Sequence, residues 1–272
     1  MDLSNDIVVH KKIDKIEVLQ FKKLLEYPNI KHAYALKNLN FRRYEGTKSR
    51  YPEYEKLLRA IEIDPKTLVK PDQKHTDNIL EIYQKQNQDA PDIYLEYLEG
   101  VDATITKEYN ITLASTNADC ILMLLYDPIK NVIANVHSGW RGTFQKISQK
   151  VVKKMKSNYE CKAEDILCFI CPSIRMCHFE VEEDVKNPCE EIFEYTNRLD
   201  EIIQVGRIVD NVQKYNIDTV LINKIILIEE GIKEENIYDS NICSVCKSEK
   251  VHSRRVEGIE FGVGTAVIQM IE

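Results

Sequence analysis

Apolar residues along this chain recur with two different periods, and the interleaving of the two predicts a mixed fold. Over residues 52–62, Tyr54, Leu57, Leu58 and Ile61 fall at the three- and four-residue spacing of one helical face. The same spacing follows Gly142, where Phe144, Ile147, Val151 and Met155 carry a helix to about residue 156. Helices are also predicted over 183–198 and 217–230, the latter with Gly231 as the residue that ends it. Strands are expected within 1–14, around Ile7-Val8-Val9, and at 78–83, 101–106, 111–114 and 167–170. The run 120–126 is apolar throughout and too short for a helix, so it reads as a strand buried on both faces. Asp127-Pro128 then turns the chain, and the β-branched segment 132–136 returns. Residues 259–271 read as a final pair of strands. Strands and helices do not alternate regularly, which points to α+β or a layered α/β arrangement with mixed sheets.

Composition narrows the class of protein. The 272 residues are 43% hydrophobic and 30% charged, values of a globular chain long enough to bury a large core. A net charge of −7 argues against nucleic acid as a partner, because phosphate backbones select basic faces. The longest apolar stretches, 121–126 and 220–228, fall far short of the roughly 20 residues that cross a bilayer. The start Met-Asp-Leu-Ser-Asn-Asp has neither the basic opening nor the apolar core of a secretion signal, so a cytoplasmic protein without membrane contact is expected. Its eight cysteines are then expected as thiols. Glycine is scarce, nine in all, yet Gly139 and Gly142 share one short stretch and Gly262 and Gly264 another. Tight backbone turns are expected at both.

Candidate chemistry gathers where strands meet loops. Gln73-Lys74-His75-Thr76-Asp77, Asn117-Ala118-Asp119-Cys120 and His137-Ser138-Gly139-Trp140-Arg141-Gly142-Thr143 supply two imidazoles and a thiol, His75, His137 and Cys120. Cys120 and His137 bracket the hairpin closed at Asp127-Pro128, so their strand ends should meet in space. Three N/S donors without a fourth form the pattern of a catalytic zinc site, which keeps one position open. Asp77, Asp119 and Ser138 are the neighbours placed to orient the ligands. The same residues also fit a cysteine hydrolase, with Cys120 as nucleophile, His137 as base and Asp119 or Asp77 as orienter. A metal-bound thiolate is not free to attack, so the two readings exclude one another. Arg141 sits where the predicted helix begins and is a candidate anion binder. Cys168/Cys171 and Cys243/Cys246 are Cys-x-x-Cys pairs, but they lie too far apart for a zinc ribbon, and a redox dithiol lacks a thioredoxin-like context.

Taken in order, these motifs resemble the YfiH-type laccase-domain family, from about His32 to the C-terminus. The resemblance rests on Gln73-Lys74-His75-Thr76, Val101-Asp102-Ala103-Thr104-Ile105-Thr106, Asn117-Ala118-Asp119-Cys120, and the His137 to Thr143 stretch. It continues through Pro172-Ser173-Ile174, Cys177-His178-Phe179-Glu180-Val181, and Asp218 with Asn223, Leu227 and Gly231, leading to Ile242-Cys243. It implies a single domain over residues 1–272, folded as a layered α-β-β-α sandwich. It also implies zinc on His75, Cys120 and His137. The chain departs from the family at Lys37, Cys171, Arg175 and Val263, and has Ser253-Arg254-Arg255-Val256 where Ser-Tyr-Arg-Arg is usual.

Members of this family are described both as multicopper polyphenol oxidases and as purine nucleoside phosphorylases with adenosine deaminase activity. The second description implies a small-molecule purine nucleoside (inosine, guanosine, adenosine or methylthioadenosine) and phosphate as the partners. Arg141, Lys74 and Arg255 are then the candidate phosphate binders, and His178 a candidate general acid. Copper is expected only as an in vitro substitute in a Cys/His site, since His10, His32, His178 and His252 are too scattered for a multicopper centre. Hydrolysis of a muropeptide amide at the same zinc site is the alternative. A non-enzymatic role fits an open triad poorly, and the chain is equally compatible with a monomer or a homodimer.

Overall fold

The computed structural model describes residues 1–42, 51–83 and 98–272. Its strands, in chain order, are β1 (Val8–Ile13), β2 (Ile16–Phe21), β3 (Ile30–Ala35), β4 (Leu68–Val69), β5 (Ile79–Glu81), β6 (Ala103–Thr106), β7 (Thr112–Asn117) and β8 (Ile121–Asp127). They continue as β9 (Val132–Ser138), β10 (Leu167–Ile170), β11 (Glu180–Val181), β12 (Ile203–Val209), β13 (Val212–Ile217), β14 (Ile237–Asp239) and β15 (Gly264–Met270). Among the described residues the helices of at least five residues are α1 (Tyr51–Ala60), α2 (Trp140–Phe144), α3 (Ile147–Tyr159), α4 (Glu183–Phe193) and α5 (Thr219–Glu229). One large sheet runs β1-β2-β3-β15-β7-β4, a second β14-β10-β8-β9-β6-β5, and a small third β11-β13-β12. The pairs β4–β7, β5–β6 and β10–β14 are parallel and the others antiparallel, so both large sheets are mixed.

Side-chain alternation along β8 shows how the layers stack. Leu122, Leu124 and Tyr126 point between the two large sheets and meet Phe21, Leu113, Phe169 and Ile268. Ile121, Met123 and Leu125 point the other way, against Val151 and Met155 of α3 and Leu227 of α5. On the far side of the first sheet, Val18, Ala35, Ala114 and Val267 are covered by Tyr54, Leu57 and Leu58 of α1. The order is therefore helix, sheet, sheet, helix, and the all-apolar run of β8 follows from its burial on both faces. Asn135 of β9 crosses between the sheets: its amide donates to the carbonyls of Leu113, at 3.1 Å, and Ala266, at 2.9 Å. Ser115 bonds its side-chain oxygen. The third sheet, α4 and α5 build a satellite core from Val185, Cys189, Phe193, Ile217 and Ile222. Among the described residues no helix is long and apolar enough to cross a membrane.

Two expectations about elements are corrected. The helix predicted after Gly142 begins earlier, at Trp140, and is broken into α2 and α3 at Lys146, which adopts left-handed φ of 57°. The break has a packing cause: Phe144 faces the satellite core while Ile147, Val151 and Met155 face the second sheet, and no straight helix serves both. The final strand pair is the single strand β15; residues 254–260 form short helical turns, leaving Ile259 85% exposed. The strand expected within residues 1–14 is β1, and it pairs with β2, which pairs in turn with β3.

Candidate metal centre

The β8–β9 hairpin brings the first two candidate ligands together. Leu122 lies opposite His137 and Ile121 opposite Ser138, so Cys120, one residue before β8, comes alongside His137 at the end of β9. The Asp127 carboxylate closes the turn by accepting N–H groups from Ile129 and Lys130 at 2.8 and 2.9 Å. His75 arrives on the loop after β4. Gln73 anchors that loop to β7, its carbonyl oxygen accepting the Thr116 N–H at 2.8 Å and its amide donating to the Thr116 carbonyl at 2.9 Å. Asn117 fixes the Cys120 turn, donating to the carbonyls of Cys120 at 2.6 Å and Pro172 at 2.9 Å.

Asp102, at the mouth of β6, is the residue around which the site is organised. Its carboxylate accepts the backbone N–H groups of Lys74, His75 and Thr76 at 3.1, 3.0 and 2.9 Å. It also accepts the Nδ1–H of His137 at 2.6 Å. The three converging N–H groups hold His75 in left-handed φ of 62°, an unfavourable conformation for a residue with a side chain. Burial opposes charge on Asp102, yet His137 and these donors keep its carboxyl down at about 2. With Nδ1 committed to Asp102, His137 presents Nε2 to the site. Burial likewise opposes a thiolate at Cys120, but hydrogen bonds from His137 and His75 draw it down to about 6. Against the same penalty, Asp102 and Cys120 lift His137 to about 9.

The geometry fits a metal ion. One donor atom from each of His75, Cys120 and His137 lies within 4.8 Å of the others, and Cys120 Sγ is 3.6 Å from His75 Nε2. Tetrahedral zinc with a Zn–S bond of about 2.3 Å and a Zn–N bond of about 2.05 Å separates sulfur from nitrogen by about 3.6 Å. Gly139 leaves the room required: a Cβ there would lie 2.6 Å from His75 Cδ2 and 3.3 Å from the Cys120 sulfur. A hydrogen-bonded cluster backs that turn, with Ser138 and Thr143 side-chain oxygens 2.9 Å apart and Asn223 donating to Thr143 at 3.0 Å.

The triad forms part of the lining of a cleft of about 630 Å³, within the usual range for small-molecule sites. Trp140, Phe179 and Phe261 supply apolar walls, and Arg141, Arg254 and Arg255 supply positive charge. The Arg141 guanidinium lies over the Trp140 ring, 4.2 Å from its centroid. Asp119, with φ of 86°, accepts Ser244 Oγ at 2.6 Å and the Arg255 N–H at 2.8 Å, so both carboxylate oxygens are engaged in joining the Cys120 turn to the C-terminal wall.

The structure thus gathers His75, Cys120, His137, Arg141 and Arg255 at one cleft and places the other candidates elsewhere. Lys74 Nζ sits 3.0 Å from Asp72 and 4.0 Å from Glu99 and does not line the cleft. His178 lies among three thiols, with Nδ1 3.1 Å from Cys177 Sγ, also outside the cleft lining. Asp77 pairs with Lys150, and Ser138 with Thr143 and Asn223, so neither orients His75 or His137. That part belongs to Asp102, whose signal in the sequence is the one acid of the strand motif Val101-Asp102-Ala103-Thr104-Ile105-Thr106. Arg141 stands on a helix of five residues, so its contribution to the cleft is the guanidinium charge and not a helix terminus. Cys168 and Cys171 are fully buried, and burial pushes both thiols well up, away from ligation or redox chemistry.

Known proteins place this architecture. Over residues 29–271 the chain matches the family described as multi-copper polyphenol oxidoreductase laccase. It is 28% identical to a purine nucleoside phosphorylase of Bacteroides thetaiotaomicron over 257 residues, covering 90% of this chain and 93% of that one. It is 30% identical to adenosine deaminase RL5, from an unknown prokaryotic organism, over 76% of each chain. The crystal structure of hypothetical protein YfiH from Bacillus licheniformis superposes with a TM-score of 0.86 at 20% identity, over 98% of this chain and all of that one. YlmD from Geobacillus stearothermophilus gives 0.82 at 19%, over 98% of this chain and 100% of that one. The match across nearly the whole chain, with the shared layered fold, shows that this protein belongs to the YfiH-type laccase-domain family.

Proposed function

We propose that the cleft houses a zinc-dependent purine nucleoside phosphorylase that also deaminates adenosine. The observation that carries this reading is an open two-nitrogen, one-sulfur triad in a cleft lined by both aromatic rings and guanidinium groups. The names of the relatives support the substrate class. His75, Cys120 and His137 would hold the zinc, which would supply Lewis acidity toward a substrate heteroatom or a water molecule.

The chain's own groups divide the remaining work. Trp140, Phe179 and Phe261 offer flat apolar faces for a purine, and Arg141 with Arg255 offers guanidinium donors for phosphate. In phosphorolysis a phosphate oxygen bonds to C1′ while the bond from C1′ to the base nitrogen breaks. Its electron pair leaves with the base, which takes up a proton. In deamination water adds at C6 and ammonia departs. Asp102 keeps His137 in one tautomer and the His75 loop in one conformation, so neither ligand needs to reorganise.

A copper polyphenol oxidase is less well supported. The chain has six histidines; His32 bonds the Phe21 N–H, His10 faces Asp2 and Glu17, and His252 faces Glu257, each away from the triad. The test is an assay of metal-analysed protein on inosine and adenosine with and without phosphate, products separated by chromatography. Release of free base only with phosphate, and of inosine from adenosine, is expected. No turnover of either nucleoside by zinc-loaded protein would overturn the reading and make a muropeptide amide the next substrate to try.

A further inference from the structure

A second cluster of soft ligands lies outside the cleft triad. The parallel strands β10 and β14 run side by side, Ile170 opposite Asp239, and the segments that follow stay paired. Ser173 accepts the Ser244 N–H at 3.0 Å and donates its own N–H to Ile242 at 3.2 Å. Each segment then turns tightly. In one turn the Lys247 N–H bonds the Cys243 carbonyl at 3.0 Å, and in the other the His178 N–H bonds the Arg175 carbonyl at 2.9 Å. The turns present Cys243 and Cys246 from one side and Cys177 and His178 from the other, with one donor atom from each within 4.8 Å of the rest.

The separations from Cys177 and His178 approach those of a tetrahedron. Cys177 Sγ is 3.6 Å from Cys243 Sγ and 3.9 Å from Cys246 Sγ. His178 Nδ1 is 3.1, 3.7 and 3.5 Å from the sulfurs of Cys177, Cys243 and Cys246. Four ligands around zinc, with Zn–S about 2.3 Å and Zn–N about 2.05 Å, give sulfur–sulfur distances of about 3.8 Å and sulfur–nitrogen distances of about 3.6 Å. A disulfide would need sulfurs about 2.05 Å apart. We propose that Cys177, His178, Cys243 and Cys246 form a second, structural metal site that takes zinc. Three thiolates and an imidazole select a soft divalent ion over magnesium or calcium, and four protein ligands close the coordination sphere.

The position explains what such an ion would hold together. Ser244, between the two cysteines of the Cys-x-x-Cys turn, donates to Asp119 beside the ligand Cys120. Phe179 follows His178 and lines the cleft with Arg254 and Arg255. The ion therefore staples the segment that leads into Phe179 to the turn that braces Asp119, and does so whether or not the substrate is a nucleoside.

Metal analysis of the full chain, loaded with zinc and desalted, tests this. About two zinc ions per chain are expected in the wild type and about one in Cys177→Ser/Cys246→Ser. Cobalt loading gives a second readout, since near-ultraviolet thiolate absorption in that variant should fall to the level of the one remaining thiolate ligand. If the variant does not fold, alkylation of the wild type decides. Cys177 and Cys246, both exposed, should be protected in zinc-loaded protein and should react once a chelator has removed zinc. Equal zinc in wild type and variant, alkylation unaffected by zinc, or a disulfide at Cys177 in protein kept in thiol reductant would each overturn the proposal.

Discussion

Asp102 concentrates the site's dependence on a single side chain. It bonds both the Nδ1–H of His137 and the backbone that carries His75, so Asp102→Asn disturbs two ligands together. Zinc affinity should fall about 10- to 100-fold, the usual cost of losing the group that orients a ligand histidine. Competition with a chelator measures it, and an affinity within a factor of about two of wild type would sink the assigned role. Trp140 is the only tryptophan of the chain and lines the cleft, so its fluorescence reports the cleft directly. Inosine should change that emission saturably, and more than ribose and phosphate do, because only the purine stacks. Equal response to ribose alone would remove the stacking role.

At the scale of elements the site depends on the register of one hairpin. Cys120 and His137 meet because Leu122 faces His137, and a slip of one residue would turn every side chain of β8 to the opposite face. Leu124, fully buried between the sheets, holds that register. Leu124→Ala should cost about 2–5 kcal/mol in urea unfolding, the range for emptied core sites; a loss below about 1 kcal/mol would show that the sheets close around the gap. This hairpin was legible beforehand, since an apolar run, Asp-Pro and a β-branched return are local signals. β12 and β13 were not: their exposed faces carry Val205, Ile208 and Val212 among polar residues, so the alternation is blurred. The break between α2 and α3 was hidden for another reason. Its cause is a pair of separate cores, and neither is local in sequence.

At the scale of the whole molecule, buried charge ties distant segments together. Asp239 at the end of β14 accepts Arg175 Nη1 and Nη2 at 2.8 and 2.5 Å and lies 2.7 Å from Lys224 Nζ of α5. Burial would raise its pKa, but Arg175 and Lys224 bring it down to about 2. Because the folded pKa lies below the unfolded value near 3.8, the stabilisation is complete above about pH 4 and is lost as pH falls toward 2. The pH-dependent part amounts to about 2 kcal/mol. Urea unfolding of wild type and Asp239→Asn should show a stability gap that shrinks by about that amount between pH 5 and pH 2. A gap unchanged across that range would mean that the carboxylate charge contributes nothing to the fold.

The amino-acid sequence by itself determined the helix–strand inventory of the central hairpin, the double burial of β8, and the three ligand candidates His75, Cys120 and His137. These are short-range signals, because period, turn chemistry and residue type are all written within about ten positions. Tertiary structure alone decided which acid orients the site, choosing Asp102 over Asp77 and Asp119. It alone removed Lys74 and His178 from the cleft, and it alone set Cys177-His178 against Cys243 and Cys246. The physical reason is shared: each outcome depends on which loops the sheets bring side by side, and the parallel pairing of β10 with β14 joins ligands more than sixty residues apart.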